Sequence, residues 1–223
     1  MSRRLRKSVK HGLNVRPSCR RVGGRRIVEG GGWSNPLGRR AYRGRVMRCF
    51  VAVWPAPNVV EDLEALPRPE TPGLRWSSRE QWHVTLRFFG DIDAQALTDA
   101  SAVLARAADR ADRAPLVNGG PGTRFLGPGL LIWPVDGLAE VANEVERLTA
   151  TIGKPPPSRS FYGHITLARG RRGVDLHRAT HLLTPLALSW AATSLTFVES
   201  ELHPDGARYR VLAEFPLPGL PPS

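Results

Sequence analysis

The sequence predicts an α+β fold built on largely antiparallel sheets, and three observations lead to this prediction. Short β-type runs recur along the chain, with Gly and Pro residues between them. Other segments place apolar side chains three and four residues apart, which is typical of helices packed on a sheet. Because these strands and helices do not alternate regularly, a parallel β-α-β arrangement is not expected.

In chain order, the first half contains four predicted elements. Residues 49–54 form a β-type run that ends at Pro55, and residues 58–66 have helical spacing. Residues 81–90 alternate polar and apolar side chains, which predicts a half-buried strand. The Ala-rich segment 94–111 is predicted to be a helix.

The second half adds another helix and several strands. The helix is predicted over residues 138–152, and the three prolines at 155–157 cannot continue it. The strands are predicted at 115–117, 123–126, 130–135, 164–169, 186–198 and 208–215.

The basic charge of the chain is concentrated at its amino-terminal end. The 223 residues carry a net charge of +12, and residues 1–46 contain fourteen Lys and Arg against one acidic residue. Residues 1–46 have few apolar side chains, so we predict a disordered extension. Three interpretations stay open: an arm that binds nucleic acid, a transit peptide, or an over-long start before a domain that begins at Met47.

Several classes of protein are excluded by simple patterns. No run of 18 apolar residues is present, and no apolar segment follows the basic residues, so we expect a cytoplasmic protein with no membrane partner. Cys19 and Cys49 are too few for a disulfide framework or a four-thiolate zinc site. Nothing indicates a coiled coil, and we expect a monomer.

One short motif occurs twice, 81 residues apart. His83-Val84-Thr85-Leu86 and His164-Ile165-Thr166-Leu167 both read His-x-Thr-x with apolar residues at x. In a strand, the His and Thr of each copy point to the same face. The duplication suggests two related lobes whose motifs meet in one cleft.

Paired imidazoles suit displacement at phosphorus, because one ring can accept a proton while the other donates one. Threonine hydroxyls can bind phosphoryl oxygens, and an arginine such as Arg169 or Arg87 can hold the anion. No metal is required for this chemistry. A zinc site formed by His83, His164 and a carboxylate is the alternative, although no acidic residue accompanies either motif at ligand spacing.

These motifs resemble the signatures of the two-histidine (2H) phosphoesterase superfamily, in particular its RNA 2′,3′-cyclic phosphodiesterase branch, the 2′-5′ RNA ligase-like proteins. The likeness spans residues 47 to about 217. Besides both motifs it includes residues 48–55, residues 74–76 and the segment from Glu199 to Tyr209. The resemblance implies a single bilobed domain at residues 47–219. Two mostly antiparallel sheets would be related by pseudo-twofold symmetry, with helices outside and a central cleft.

The resemblance also implies an activity and a set of site residues. The activity is hydrolysis of RNA 2′,3′-cyclic phosphate ends, with no cofactor or metal and with RNA or an oligonucleotide as partner. His83 would be the proton donor and His164 the proton acceptor. Thr85, Thr166 and Arg169 would bind the phosphate, and Phe50 is a candidate for stacking on the substrate.

One departure from the family pattern concerns Gly163, which stands where the family often has proline; we expect a looser entry to the second motif strand. Two alternative functions stay open. One is an RNA- or phosphate-binding module without catalysis, and the other is a 2H phosphodiesterase that acts on a small nucleotide cyclic phosphate.

Overall fold

The computed structural model describes residues 44–171, 174, 176, 182–204 and 206–219. Nearly all of the predicted disordered extension, residues 1–43, lies outside the described residues, so that interpretation stays a prediction.

Within the described residues the chain forms three α-helices and ten strands, with a 3₁₀ turn at Arg79–Gln81. The helices are α1 (Pro57–Glu64), α2 (Ala94–Asp109) and α3 (Ala139–Leu148). The strands are β1 (Met47–Val53), β2 (Leu74–Trp76), β3 (Val84–Ile92), β4 (Leu116–Gly119), β5 (Arg124–Leu126), β6 (Leu130–Asp136), β7 (His164–Gly170), β8 (Ser189–Ala191), β9 (Ser194–His203) and β10 (Gly206–Pro216).

Every strand pairing described in the sheet is antiparallel, which confirms the predicted α+β class. The strands form two groups of four, in the orders β10-β9-β1-β3 and β7-β6-β4-β8. Strand β2 adds to β7, and β5 adds to β6. The two groups are joined where β3 pairs with β7, at the pair Val84 and Ile165.

The hydrophobic core lies between the strands and the helices. Helix α2 buries Leu97, Ala100 and Leu104 along one side, as its apolar spacing predicts, and α3 buries Ala142 and Val145. Asp93 caps α2 by accepting a hydrogen bond of 2.8 Å from the backbone N–H of Ala96. None of these helices is long and apolar enough to cross a membrane.

Two of the differences from the sequence prediction concern the last three strands. The predicted strand 186–198 is interrupted at residues 192–193, so that β8 and β9 are separate. The segment 199–206, predicted as a bridge between strands, is mostly strand because β9 extends to His203 and β10 begins at Gly206. Opposite charges stabilise this hairpin, since Glu199 lies across from Arg210 and Glu201 across from Arg208.

Strands β3 and β7 each contain a β-bulge three residues after the motif histidine. On β3, Thr85 pairs with Ala52 and Arg87 pairs with Val51, which leaves Leu86 without a partner in β1. On β7, Leu167 is skipped in the same way between Thr166 and Ala168. A bulge shifts the alternation of side chains by one residue. The shared position of the bulges supports a common origin of the two halves.

A buried ion pair connects the residues before β1 to the hairpin. The carboxylate of Glu199 is only 3% exposed, and it pairs with Arg210 and, at 2.8 Å, with Arg45. Because Arg45 precedes Met47, a chain that began at Met47 would lack one of these two partners.

We predict that removal of residues 1–46 lowers the free energy of unfolding by about 0.5–1 kcal/mol, because Glu199 loses one cation and Arg45 is itself half exposed. Urea denaturation of the full chain, of a variant starting at Met47 and of the full-length Arg45→Ala variant measures this. A chain starting at Gly44 retains Arg45 and serves as the control. Equal stability of the Met47 chain and the Gly44 chain would contradict the prediction.

Candidate active site

The two motifs lie side by side because β3 and β7 are neighbours. Val84 is directly opposite Ile165, and both side chains are fully buried in the core. In an antiparallel pair this register places His83 across from Thr166, and Thr85 across from His164. Since side chains alternate along a strand, all four point to the face away from the core.

The side chains of both motifs line one cleft of about 420 Å³. Arg169 and Phe50 line the same cleft, so the structure brings together all six site residues named from the sequence. Further lining residues are Arg48, Arg75, Gln81, Ser200, His203 and Tyr209. No Asp or Glu is found among the described residues that line the cleft. Its three arginines therefore favour an anionic ligand.

His83 is held among aromatic rings. Phe50 and Trp54 lie nearly parallel to the imidazole, with ring centroids 4.8 and 5.2 Å from it. Tyr209 meets it edge-on at 5.1 Å. Burial lowers the pKa of His83 to about 4, and the nearby cations add to this effect. In the empty cleft His83 is therefore neutral at pH 7.

His83 Nδ1 is buried, and no described residue gives it a hydrogen bond of good geometry. The backbone of Gln81 nevertheless lies near enough to favour the protonated ring, which opposes part of the lowering of the pKa. Desolvation is the larger effect.

His164 is oriented by the backbone just before its own strand. Its Nδ1 lies 2.9 Å from the carbonyl oxygen of Tyr162. A carbonyl can only accept, so Nδ1 carries the proton and Nε2 of the neutral ring has a free lone pair. Burial lowers the pKa of His164, and the positive charges of Arg169 and Arg159 lower it further. This ring is suited to accept a proton at Nε2.

Phe50 lies in the cleft wall, where only 4% of it is exposed. Its ring packs on His83 and, edge-on, on Tyr209 at 5.2 Å. The proposed stacking of Phe50 on a substrate stays a prediction, but this packing favours a role in holding His83.

The alternation that places His83 and Thr85 on the cleft face is broken before Arg87. Because of the bulge at Leu86, Arg87 turns to the core side, where it is 2% exposed and donates hydrogen bonds to backbone carbonyls of Phe88, Ile152 and Lys154. Phe88 takes the place on the cleft face. The counterpart of Arg169 in the repeat is therefore Phe88, and Arg87, whose orientation the sequence left open, does not line the catalytic cleft.

Gly163 makes a close contact and does not loosen the strand. Its carbonyl accepts a hydrogen bond of 2.9 Å from the N–H of Val135. A Cβ at position 163 would lie 2.5 Å from the carbonyl oxygen of Val135, so a side chain does not fit unless β6 moves.

The sequence reasoning missed Arg48, Arg75 and Tyr209 as cleft residues. Arg48 lies over the ring of Phe88, 4.4 Å from its centroid. Arg75 on β2 is directly across from Arg169 in the register of β2 and β7. All three lie in segments that carry the family resemblance, so that resemblance was the signal that could have identified them.

Among the described residues no group of three His, Cys, Asp or Glu side chains could hold a metal, so the zinc alternative lacks its third ligand there.

The antiparallel fold and the paired His-x-Thr motifs are similar to those of the 2H phosphoesterases, and the comparisons with known proteins agree. A family model described as "LigT like Phosphoesterase" matches residues 53–120. The chain carries a LigT-like 2H phosphoesterase domain.

Three known proteins are similar to this chain. An RNA 2′,3′-cyclic phosphodiesterase of Aeropyrum pernix is 28% identical over 143 residues, which is 60% of this chain and 81% of the relative. The crystal structure of TT0787 of Thermus thermophilus has a TM-score of 0.66 and 28% identity, over 78% of this chain and 99% of that one. E. coli LigT complexed with 3′-AMP has the same coverage, with a TM-score of 0.58 and 22% identity, and shares the fold.

The bulges place Arg87 in the core and Arg169 on the cleft face, so substitution of these two arginines should lower the stability of the protein by different amounts. Arg87→Met should destabilise the protein by about 2–4 kcal/mol, because buried backbone carbonyls lose a charged donor. Arg169→Met, at an exposed position on the cleft face, should change stability by no more than about 0.5 kcal/mol. Urea denaturation of both variants tests this, and similar losses in the two would show that Arg87 is not the structural member.

Proposed function

We propose that this protein hydrolyses RNA 2′,3′-cyclic phosphate ends to 2′-phosphomonoesters, with His83 as general acid and His164 as general base. The observation that carries the proposal is the convergence of both His-x-Thr motifs in one cleft with three arginines and no described acidic residue. The name of the Aeropyrum pernix relative supports this choice of substrate.

In the proposed reaction a water molecule attacks phosphorus while Nε2 of His164 removes its proton. The bond from phosphorus to the 3′ oxygen breaks, and His83 gives its proton to that oxygen. The phosphate stays on the 2′ oxygen. A second proton exchange with solvent returns both imidazoles to their starting states. The two histidines thus carry out both proton transfers of the displacement itself.

The geometry supports separate roles for the two rings. The hydrogen bond to Tyr162 keeps the lone pair of His164 at Nε2, which suits a base. His83 is neutral in the empty cleft, and the negative charge of a bound phosphodiester favours its protonated, acidic form. Hydroxyls of Thr85 and Thr166 can donate to the non-bridging oxygens, and Arg169 can hold the anion.

Substitution of either motif histidine tests the proposal directly. His83→Ala and His164→Ala should each lower kcat/KM by roughly 10²–10⁴-fold, because each removes one proton transfer. The assay is release of the 2′-phosphate product from a dinucleotide with a 2′,3′-cyclic end, with circular dichroism to establish folding.

A matched control is His203→Ala, since His203 lines the same cleft but belongs to neither motif and lies 3.8 Å from Glu201. It should keep activity within about tenfold of the wild type. Full activity in either motif variant would rule out paired acid-base catalysis. Retention of RNA by a protein that releases no product would indicate the non-catalytic binding module.

The pH dependence follows from the two lowered pKa values. Productive free enzyme needs one protonated and one neutral imidazole, and both rings titrate below the usual 6.5. The bell-shaped profile of kcat/KM should therefore have its maximum below pH 6.5 and fall about tenfold per pH unit well above that value. Initial rates from about pH 4 to about pH 8.5 measure this, and a maximum above about pH 7 would contradict it.

A further inference from the structure

The turn that precedes β3 supplies a backbone carbonyl for the ring of the proposed proton donor, His83. Nδ1 of this ring is buried, so Nε2 is the nitrogen that reaches the cleft. The backbone of Gln81 lies near enough to favour a proton on the ring, and a carbonyl oxygen can only accept a hydrogen bond. Because Nε2 faces the cleft, Nδ1 is the nitrogen that the Gln81 carbonyl can hold. The position of this carbonyl therefore influences which nitrogen of His83 carries the proton.

The Gln81 side chain is bonded at both ends of its amide. Oε1 accepts a hydrogen bond of 3.3 Å from the backbone N–H of Ser78, and Nε2 donates one of 2.7 Å to the backbone carbonyl of Ala207. The backbone N–H of Gln81 also donates to the carbonyl of Ser78, at 2.9 Å. Ser78 precedes the 3₁₀ turn at Arg79–Gln81, and Ala207 is the second residue of β10. The amide thus connects the turn before the motif histidine to β10.

Strand β10 lies directly against this amide. A Cβ at Gly206 would be 2.9 Å from Nε2 of Gln81 and closer still to the guanidinium of Arg75, so a side chain there would displace one of these groups. Further along β10, Tyr209 meets the ring of His83 edge-on at 5.1 Å. The same strand therefore contacts the proton donor through Tyr209 and contacts the turn before it through Gln81.

An amide is the group that can make both bonds of the Gln81 side chain, because it has an acceptor oxygen and donor N–H groups. A carboxylate in its place would turn a second oxygen toward the carbonyl of Ala207, and a methionine would make neither bond. With both ends bonded, the side chain is restricted to one conformation, and the backbone of the turn is held beside His83. The chemistry of the side chain at position 81 therefore matters as well as its size.

Cations and neutral groups face His83 from the neighbouring strands. Burial is the largest cause of its lowered pKa, and Arg169 and His164 on β7 lower that pKa further. The carbonyl of Gln81 opposes these effects by favouring the protonated ring. The other titratable groups that line the cleft with His83 are Arg48 of β1, Arg75 of β2, His203 of β9 and Tyr209 of β10. A proton donor among these cations depends on the hydrogen-bond acceptor behind it.

We propose that Gln81 is a positioning residue for the general acid, because its side-chain amide ties the turn before β3 to β10 and so holds the Gln81 carbonyl on Nδ1 of His83. This inference rests on the proposed function and deepens it. With the Nδ1 proton held by the carbonyl, the proton that passes to the 3′ oxygen is the one on Nε2, and the ring cannot turn away from the cleft.

The tautomer of neutral His83 tests this role without turnover. The ¹⁵N chemical shifts of histidine-labelled protein at about pH 7, assigned by comparison with His83→Ala, give the ratio of the Nδ1–H form to the Nε2–H form. The Nδ1–H form should dominate in the wild type, since the Gln81 carbonyl accepts its proton. In Gln81→Met, which keeps the size of the side chain without either hydrogen bond, the ratio should fall at least about fivefold.

Turnover of a dinucleotide with a 2′,3′-cyclic end gives the second readout. Gln81→Met should lower kcat at least about fivefold, because the ring then takes orientations from which Nε2 does not reach the leaving oxygen. KM should stay within about twofold of the wild type, since the residues proposed to bind the phosphate are unchanged. Gln81→Ala should give the same losses, because it lacks the same two bonds.

Gln95→Met is the matched control. Gln95 is exposed on α2, and its amide donates to Asp99 at 2.9 Å, so both the tautomer ratio and kcat should equal those of the wild type. An unchanged tautomer ratio in Gln81→Met would overturn the inference, and so would an unchanged kcat in that variant when the wild type is active. Losses in Gln81→Ala alone would show that the residue acts by packing, which also overturns it.

The outcomes separate this role from the reaction. A wild type that releases no product would overturn the proposed function, and the tautomer ratio in Gln81→Met would still decide whether Gln81 holds His83. Turnover by the wild type with neither readout changed in Gln81→Met would overturn the positioning role alone.

Discussion

The cross-strand pair of Val84 and Ile165 is the constraint on which the site depends. It joins the two groups of strands, and its burial fixes which face of β3 and β7 points into the core. A slip of one residue in this register would move the histidines and threonines of the motifs into the core. The apolar x positions of the motifs are therefore as necessary to the cleft as the polar ones.

The paired motifs are symmetric, but their surroundings are not. His83 lies against the rings of Phe50 and Trp54, whereas His164 donates to the backbone carbonyl of Tyr162. After the two bulges, one half presents Phe88 to the cleft and the other presents Arg169. The repeated motif thus provides two imidazoles at equivalent positions. The different residues around them give the two rings the different environments that an acid and a base require.

Periodicity and the repeated motif are local signals, and they predicted the class of fold, the three helices and the four motif residues. Arg169 and Phe50 were named through the family resemblance, and they line the same cleft. The sequence did not reveal the bulges, since Leu86 and Leu167 are ordinary strand residues and the register shift arises from pairing with β1 and β6. For the same reason the sequence could not decide on which face of β3 Arg87 lies. Arg48, Arg75 and Tyr209 come from three other strands, and only their tertiary packing brings them to the cleft.

The close approach of β6 to Gly163 has a consequence for how the sequence can vary. The carbonyl of Val135 occupies the space that a Cβ at position 163 would need. A mutation that introduced the proline often found in the family would therefore be selected against unless the backbone of β6 had already shifted. Because the obstacle is the backbone of β6, a change of side chain at position 135 alone would not make room for a side chain at position 163, and the constraint is steric rather than catalytic.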